Sequence, residues 1–359
     1  MELMKRRFSF CSLKALVFIG GVCFSASAQQ KLNHIQVIGT HNSYKVAIDK
    51  PVMDTLKKFN PKWAETLEYS HGPIEEQLNQ GLGNLEIDIA VDRLGGNFAK
   101  PHFYEMYKDQ VSPYNTAGEM NTPGFKVIHI QDLDFRSHCA SLKDCLQILK
   151  NWSDAHPKHQ PVFITMNAKS GISRGLPTVA EDFKPEDFKE LNALLWSELG
   201  PKRLLIPKDV QGKYSTLEEA VLAKGWPDLK TVLGKFIFVL DEGGLKRSNY
   251  LGSQSPVQVM FTDSPVGDPN AAFLIMNNPI KQEHEIRDLV KKGYMVRTRA
   301  DAETYEARRE DYSRFEAACR SGAQVITTDY YLPSTHFKSN YKVNFEGNKY
   351  LRDNPIFKK

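Results

Sequence analysis

Four polar residues stand out because of where they fall in apolar runs. His41 follows HIQVIGT (34–40) and is itself followed by Asn42. Glu86 and Asp88 alternate with Leu85, Ile87 and Ile89 in NLEIDIA (84–90), and His129 lies between Ile128 and Ile130 in KVIHIQD (126–132). Side chains alternate across a strand, so Glu86 and Asp88 share the face opposite the three apolar residues. Two carboxylates on one enclosed face repel unless a cation lies between them. A hard divalent ion, which takes several oxygen ligands, meets that need. The plain alternative is a sheet face wetted by solvent. The same parity pairs Asn167 with Lys169 in VFITMNAK (162–169), and Arg297 with Arg299 and Asp301 in VRTRAD (296–301). Arg and Lys suit phosphate oxygens. A carboxylate-held metal suits a phosphate bound beside it. Two imidazoles suit a general base and a general acid in one displacement. Together these are the requirements of phosphodiester cleavage. The bland counterparts are histidines satisfied inside the core, and arginines tied to Asp301 or Asp329 in salt bridges.

Such residues need strands that deliver them to one place. Eight β-rich runs end in polar residues: 34–42, 84–90, 126–132, 161–169, 235–241, a sixth from either 257–264 or 271–278, then 294–301 and 324–329. Between them, segments 72–81, 141–156, 186–200, 216–225, 283–293 and 312–322 carry apolar residues at three- and four-residue steps, the helical period. Eight strands alternating with helices predict an α/β fold, a parallel sheet closed into a (β/α)8 barrel, with an open doubly wound sheet as the alternative. In a barrel the carboxyl ends of the strands converge on one mouth, where active sites form. No GxGxxG follows the first run, so a dinucleotide fold has no support. Residues 170–234 hold polar loops and read as a long excursion between strand and helix.

The chain of 359 residues is 41% hydrophobic and 25% charged, the proportions of a folded globular protein. Its first segment has the form of a secretory signal: Lys5, Arg6 and Arg7, an apolar stretch to Phe24, then Ser25-Ala26-Ser27-Ala28. The expected organisation is a leader over 1–28 and a single barrel domain over 29–359, exported to the periplasm or the medium. Cleavage after Ala28 would lower the formal charge from +4 to +1, which removes any general electrostatic case for nucleic-acid binding. A lipid-anchored reading of Cys23 is weaker, since Val22 is bulky for the position. Cys139 and Cys145 are spaced for a small-loop disulfide in an exported protein, with zinc the competing reading. Cys319 reads as a buried thiol.

With these features in place, the chain resembles the calcium-dependent phosphoinositide phospholipase C proteins of bacteria and fungi. The likeness rests on THNSY (40–44), LEYSHGPIEEQL (67–78), LEIDI (85–89), KVIHIQDLDFRSHC (126–139), GKFIFVLD (234–241), VRTRAD (296–301) and SGAQVITTDYY (321–331), in order along nearly all of the mature chain. The resemblance implies a distorted TIM-type barrel and a monomer that meets a membrane surface transiently. It implies His41 as base or phosphorane stabiliser, and His129 as the acid that protonates the glycerol oxygen. Calcium would be held by Asn42, Glu86 and Asp88. Lys169, Arg297 and Arg299 would contact phosphate or inositol. The products would be diacylglycerol and a cyclic inositol phosphate. One residue departs from the pattern: the fourth-strand Glu-x-Lys is Asn167-Ala168-Lys169 here. An amide can still bind calcium, but it brings no charge, so a weaker calcium requirement or a changed substrate is expected.

Two other functions fit the same residues. One is a glycerophosphodiester phosphodiesterase. The other is an inactive barrel that binds headgroups, for which Asn167 is the best support. His71 reads as a helix cap or a residue bordering the site, and the aromatic loop around His102 as packing or a lipid contact.

Overall fold

The computed structural model describes residues 30–357; the expected leader, with Cys11 and Cys23, lies outside the described residues. Twelve strands are present among them: β1 Ile35–Thr40, β2 Asn84–Asp92, β3 Gly124–Val127, β4 Val162–Lys169, β5 Gly171–Ile172, β6 Val179–Ala180, β7 Phe236–Leu240, β8 Phe261–Asp263, β9 Ala271–Ile275, β10 Met295–Arg299, β11 Val325–Thr328 and β12 Leu351–Asp353. β5 and β6 form a small hairpin, and the other ten make one sheet in the order β12-β1-β11-β10-β9-β8-β7-β4-β2-β3. From β1 round to β2, eight neighbouring strands run parallel. This is a distorted TIM-type barrel.

The eight are not the eight expected. Runs 257–264 and 271–278 both contribute, as β8 and β9, joined without a helix. Run 126–132 drops out of the parallel set. Only Gly124–Val127 is a strand, and it lies antiparallel to β2, with Ile89 opposite Val127 and Asp92 opposite Gly124. The reason is the length of β2. Its nine residues overshoot the mouth, and β3 descends along the overshoot. His129 therefore reaches the mouth on a loop beyond a descending strand, not on the carboxyl end of a rising one.

Parity along the strands sorts the layers. Leu85, Ile87 and Ile89 of β2, with Ile164 and Met166 of β4, pack outward against Leu142, Leu146 and Leu149 of the helix Leu142–Ala155. That helix starts at a capping box in which Ser141 and Asp144 satisfy each other's backbone N–H groups. The opposite parity fills the interior. Phe163 of β4 and Phe273 of β9 meet with ring centroids 6.0 Å apart, although β7 and β8 separate their strands in the sheet. This apolar plug is the floor beneath Glu86, Asp88 and Asn167.

No strand ladder links β1 to β2. Their meeting depends on two glycines. A Cβ on Gly39 would stand 2.2 Å from Asn84 O, and one on Gly83 would stand 2.5 Å from Val37 Cβ. Gly83 N donates to Ile38 O at 2.8 Å and Ser43 N to Glu86 O at 3.0 Å. The seam thus brings the loop after β1 directly against β2. Cys139 and Cys145 form a disulfide, Cα atoms 5.3 Å apart, just past the loop that carries His129. Cys319 is half-buried, and burial pushes its thiol up to about 11. Among the described residues no helix is long and apolar enough to cross a membrane.

Candidate active site

His41 sits on the first residue beyond β1. The chain then turns through Asn42 at φ +48°, a left-handed conformation that asparagine tolerates better than most residues. His41 Nδ1 lies 2.8 Å from Asp329 Oδ1, just past β11. A carboxylate only accepts, so Nδ1 carries the hydrogen and Nε2 is the acceptor, 3.5 Å from Arg299 Nη1 and 3.5 Å from Glu86 Oε1. Arg299 Nη2 bonds the other Asp329 oxygen at 3.1 Å. Burial, then the neighbouring Arg299 and Arg297, hold the His41 imidazole well below its usual range, so it is neutral and basic in form at neutral pH.

His129 forms a second such pair. Its Nδ1 lies 2.7 Å from Asp134 Oδ2, and the same oxygen receives the Lys45 ammonium at 3.1 Å. Tyr69 stands between the two imidazoles, its ring centroid 6.1 Å from that of His41 and 6.5 Å from that of His129. Around them lies a cavity of about 300 Å³, lined by His41, His129 and Tyr69, by the cations Lys169, Arg174 and Arg299, and by Trp63, over whose ring the Arg174 guanidinium stacks at 4.5 Å. With Asp329 and Glu303 also in the lining, the mouth offers an anionic ligand two imidazoles and three cations, of which Lys169 and Arg299 already face carboxylates.

Below it, the expected carboxylates are buried as parity requires. Asp88 Oδ2 pairs with Lys169 Nζ at 2.6 Å and accepts from Tyr44 OH at 2.8 Å. Burial alone would raise Asp88, but Lys169, His129 and these hydrogen bonds outweigh it and hold the group below its ordinary value. Glu86 pairs with Arg297 and accepts from Asn167 Nδ2 at 3.2 Å. Burial pushes it up to about 7, with Arg297 pulling the other way. Asp88 faces Asn167 across the ladder, and one step beyond Met166–Leu240 the same row reaches Asp241.

A cation needs oxygens that nothing else claims. Asn42 Oδ1 and Asp88 Oδ1 are both buried and accept no hydrogen bond. The Asn42 amide is held for this, because its Nδ2 donates to Tyr69 OH at 2.7 Å. Among the described residues no three His, Cys, Asp or Glu side chains converge as a ready metal cage. A cation here would draw first on Asn42 Oδ1 and Asp88 Oδ1, with the Asn167 amide oxygen beside them, and Glu86 would join by releasing Arg297 and Asn167 Nδ2. That all-oxygen set fits a hard cation.

Not every expected residue faces the mouth. Arg297 is 1% exposed and is spent on Glu86, Asn277 and Asp241, beneath the cavity rather than lining it. His71 does not cap a helix. It is buried, its Nε2 donates to His41 O at 2.8 Å, and burial holds its pKa near 4. It fixes the backbone that carries His41. The aromatics near His102 form the short helix His102–Tyr107, where Phe103 and Tyr107 pack inward and Met106 is exposed. Asp134, Lys45, Tyr69, Trp63 and Arg174 carry no periodic signal; for Asp134 the only clue is its place five residues after His129.

The sequence matches the family described as phosphoinositide phospholipase C, Ca2+-dependent, over residues 30–355. Among solved structures the fold is similar to a calcium-dependent phosphoinositol-specific phospholipase C from a Gram-negative Pseudomonas species. That match has 16% identity and a TM-score of 0.57, covering 91% of this chain and 96% of that one. A Ca2+-dependent phosphatidylinositol-specific phospholipase C from Streptomyces antibioticus is 18% identical, TM-score 0.55, covering 87% of this chain and 99% of that one. Among curated proteins, none matches the chain.

Proposed function

We propose that this chain, which belongs to the Ca2+-dependent phosphoinositide phospholipase C family, cleaves phosphatidylinositol-type lipids to diacylglycerol and a cyclic inositol phosphate. The observation that carries the reading is the pair of carboxylate-backed imidazoles on one cation-lined cavity. His41 Nε2 takes the proton of the inositol 2-hydroxyl as that oxygen attacks phosphorus. Lys169 and Arg299 offset the charge on the non-bridging oxygens. His129 gives its Nε2 proton to the glycerol oxygen as the P–O bond breaks, so diacylglycerol leaves neutral and the cyclic phosphodiester remains. Calcium, held by Asn42, Glu86, Asp88 and the Asn167 amide, would acidify the 2-hydroxyl and reduce the charge on phosphate.

Residues 29–359 would act as one exported catalytic unit, a monomer that visits a membrane surface and has no role with nucleic acid. Support for the membrane visit comes from Ile172 on the β5–β6 hairpin, 62% exposed and next to cavity-lining Ser173 and Arg174, and from Phe59, 84% exposed, four residues before Trp63. Phosphorus NMR of phosphatidylinositol vesicles tests the function. A cyclic phosphate signal that grows with calcium and stops with chelator is expected. Glycerol 3-phosphate as product would favour a glycerophosphodiester phosphodiesterase, and no turnover on a phosphodiester panel would favour a binding protein. Asn167→Glu restores one negative charge, so calorimetry should show calcium binding tightened by about tenfold. Unchanged affinity would remove Asn167 from the site.

A further inference from the structure

We infer that Lys45 is a positioning residue for His129, holding the Asp134 carboxylate that in turn holds the ring. This rests on the proposed role of His129 as the general acid. Lys45 lies four residues after His41 in THNSYK, yet its side chain runs to the other imidazole. It is completely buried, and its ammonium has three acceptors: Asp134 Oδ2 at 3.1 Å, Tyr69 O at 2.8 Å and Leu67 O at 3.3 Å. An ammonium has three N–H bonds. All are committed inside the protein, so Lys45 has none to offer a substrate.

Asp134 is also fixed by its own backbone. Asp134 N donates to Ile130 O at 2.9 Å and Ile130 N returns the bond to Asp134 O at 3.2 Å, a tight turn that keeps the carboxylate beside His129. One oxygen then serves both Lys45 and His129. The ring is held with Nδ1 inward and Nε2 toward the cavity. The segment His41–Lys45 thus carries one imidazole and anchors the other. His71 N donates to Lys45 O at 3.0 Å, and His138 N to Tyr44 O at 2.9 Å, closing the loop against both neighbouring segments.

A purely structural salt bridge would share this geometry, and the pH profile separates the two roles. The charged and titratable groups that act on or beside His129 are Asp134 and Lys45 from below, Asp88 with Lys169 from the sheet, His41 and Asp329 with Arg299 across the mouth, and Tyr69 edge-on. Lys45 is the cation that shares an oxygen with His129. Without it, Asp134 is wholly available to the imidazolium, which then holds its proton more tightly. Lys45→Met should therefore move the alkaline limb of kcat/KM up by about one pH unit and lower kcat about tenfold, as a more weakly acidic donor would. Lys45→Arg, which keeps the charge, should leave the limb in place. A destabilised Lys45→Met whose alkaline limb has not moved would overturn the inference. If Lys45→Met does not fold, 15N NMR titration of His129 in Lys45→Gln reads the same upward shift, and no shift there overturns it. His129→Ala is the control. Full activity in that variant would sink the catalytic reading, while the NMR titration would still test the hold of Lys45 on the pair.

Discussion

His41 and Asp329 stand 288 residues apart in sequence and meet because β1 and β11 are adjacent parallel strands, with Thr40 opposite Thr328. His129 and Asp134 are five residues apart and meet inside one turn of a loop. The first pair is a product of barrel register and persists wherever the barrel does. The second depends on ties of its own: the Ile130–Asp134 turn, the Cys139–Cys145 disulfide farther along, and Lys45 reaching in from the loop after β1. Two pairs of the same chemistry can thus differ widely in what keeps them assembled, and a site on a barrel mouth need not draw all its parts from the barrel.

The sharpest way to break that contrast is to neutralise each carboxylate. Asp134→Asn leaves the Lys45 ammonium buried without its counter-ion, and urea melts should show a loss of about 3 kcal/mol. Asp329→Asn breaks a buried pair too, but at the mouth of the cavity, and should cost less, about 2 kcal/mol. Its partner Arg299 is partly exposed, and the change relieves repulsion of buried Asp301, which burial and then Asp329 push up to about 7. Equal losses would erase the distinction. A similar effect comes from the disulfide. Cys139→Ser with Cys145→Ser reopens a six-residue separation and should cost about 2 kcal/mol. Its activity loss should follow the His129 limb of the pH profile and leave the His41 limb fixed. The smallest effect lies behind His41. His71 is neutral and buried, with a folded pKa near 4, below its unfolded value of about 6.5. A depressed pKa contributes stability above the unfolded value that is lost as pH falls toward the folded one. Between pH 7 and 5.5 the loss should be about 1 kcal/mol, and His71→Gln should flatten that slope in acid titration melts.

Much of this contrast was legible in the sequence on one side only. Strand parity put Glu86, Asp88, Asn167 and Lys169 on one face, because a parallel barrel strand between helices and a packed interior cannot alternate otherwise. The same parity applied to KVIHIQD brought His129 to the mouth for the wrong reason. The run looks like a barrel strand, but β2 overshoots and β3 turns back along it. Alternation alone cannot tell an ascending strand from a descending one. The choice between 257–264 and 271–278 stayed open because strand periodicity does not reveal a short parallel link without a helix. Lys45, Tyr69 and Arg174 were invisible for a different reason. Their roles come from burial and long-range contact, which leave no period. Arg297 read as a substrate contact because its parity is right; its depth, beneath Glu86, is set by neighbours the sequence does not order.

The assignment of His41 to the attacking side and His129 to the leaving side is tested most directly by changing the leaving group. Let His129→Ala and His41→Ala be assayed on phosphatidylinositol and on a p-nitrophenyl ester of inositol 1-phosphate, whose leaving group departs without a proton. His129→Ala should lose about 10²- to 10⁴-fold in kcat/KM on the lipid and recover most of it on the activated ester. His41→Ala should be impaired on both. If His129→Ala is equally impaired on the two substrates, or His41→Ala is the one rescued, the division of labour between the two pairs is wrong.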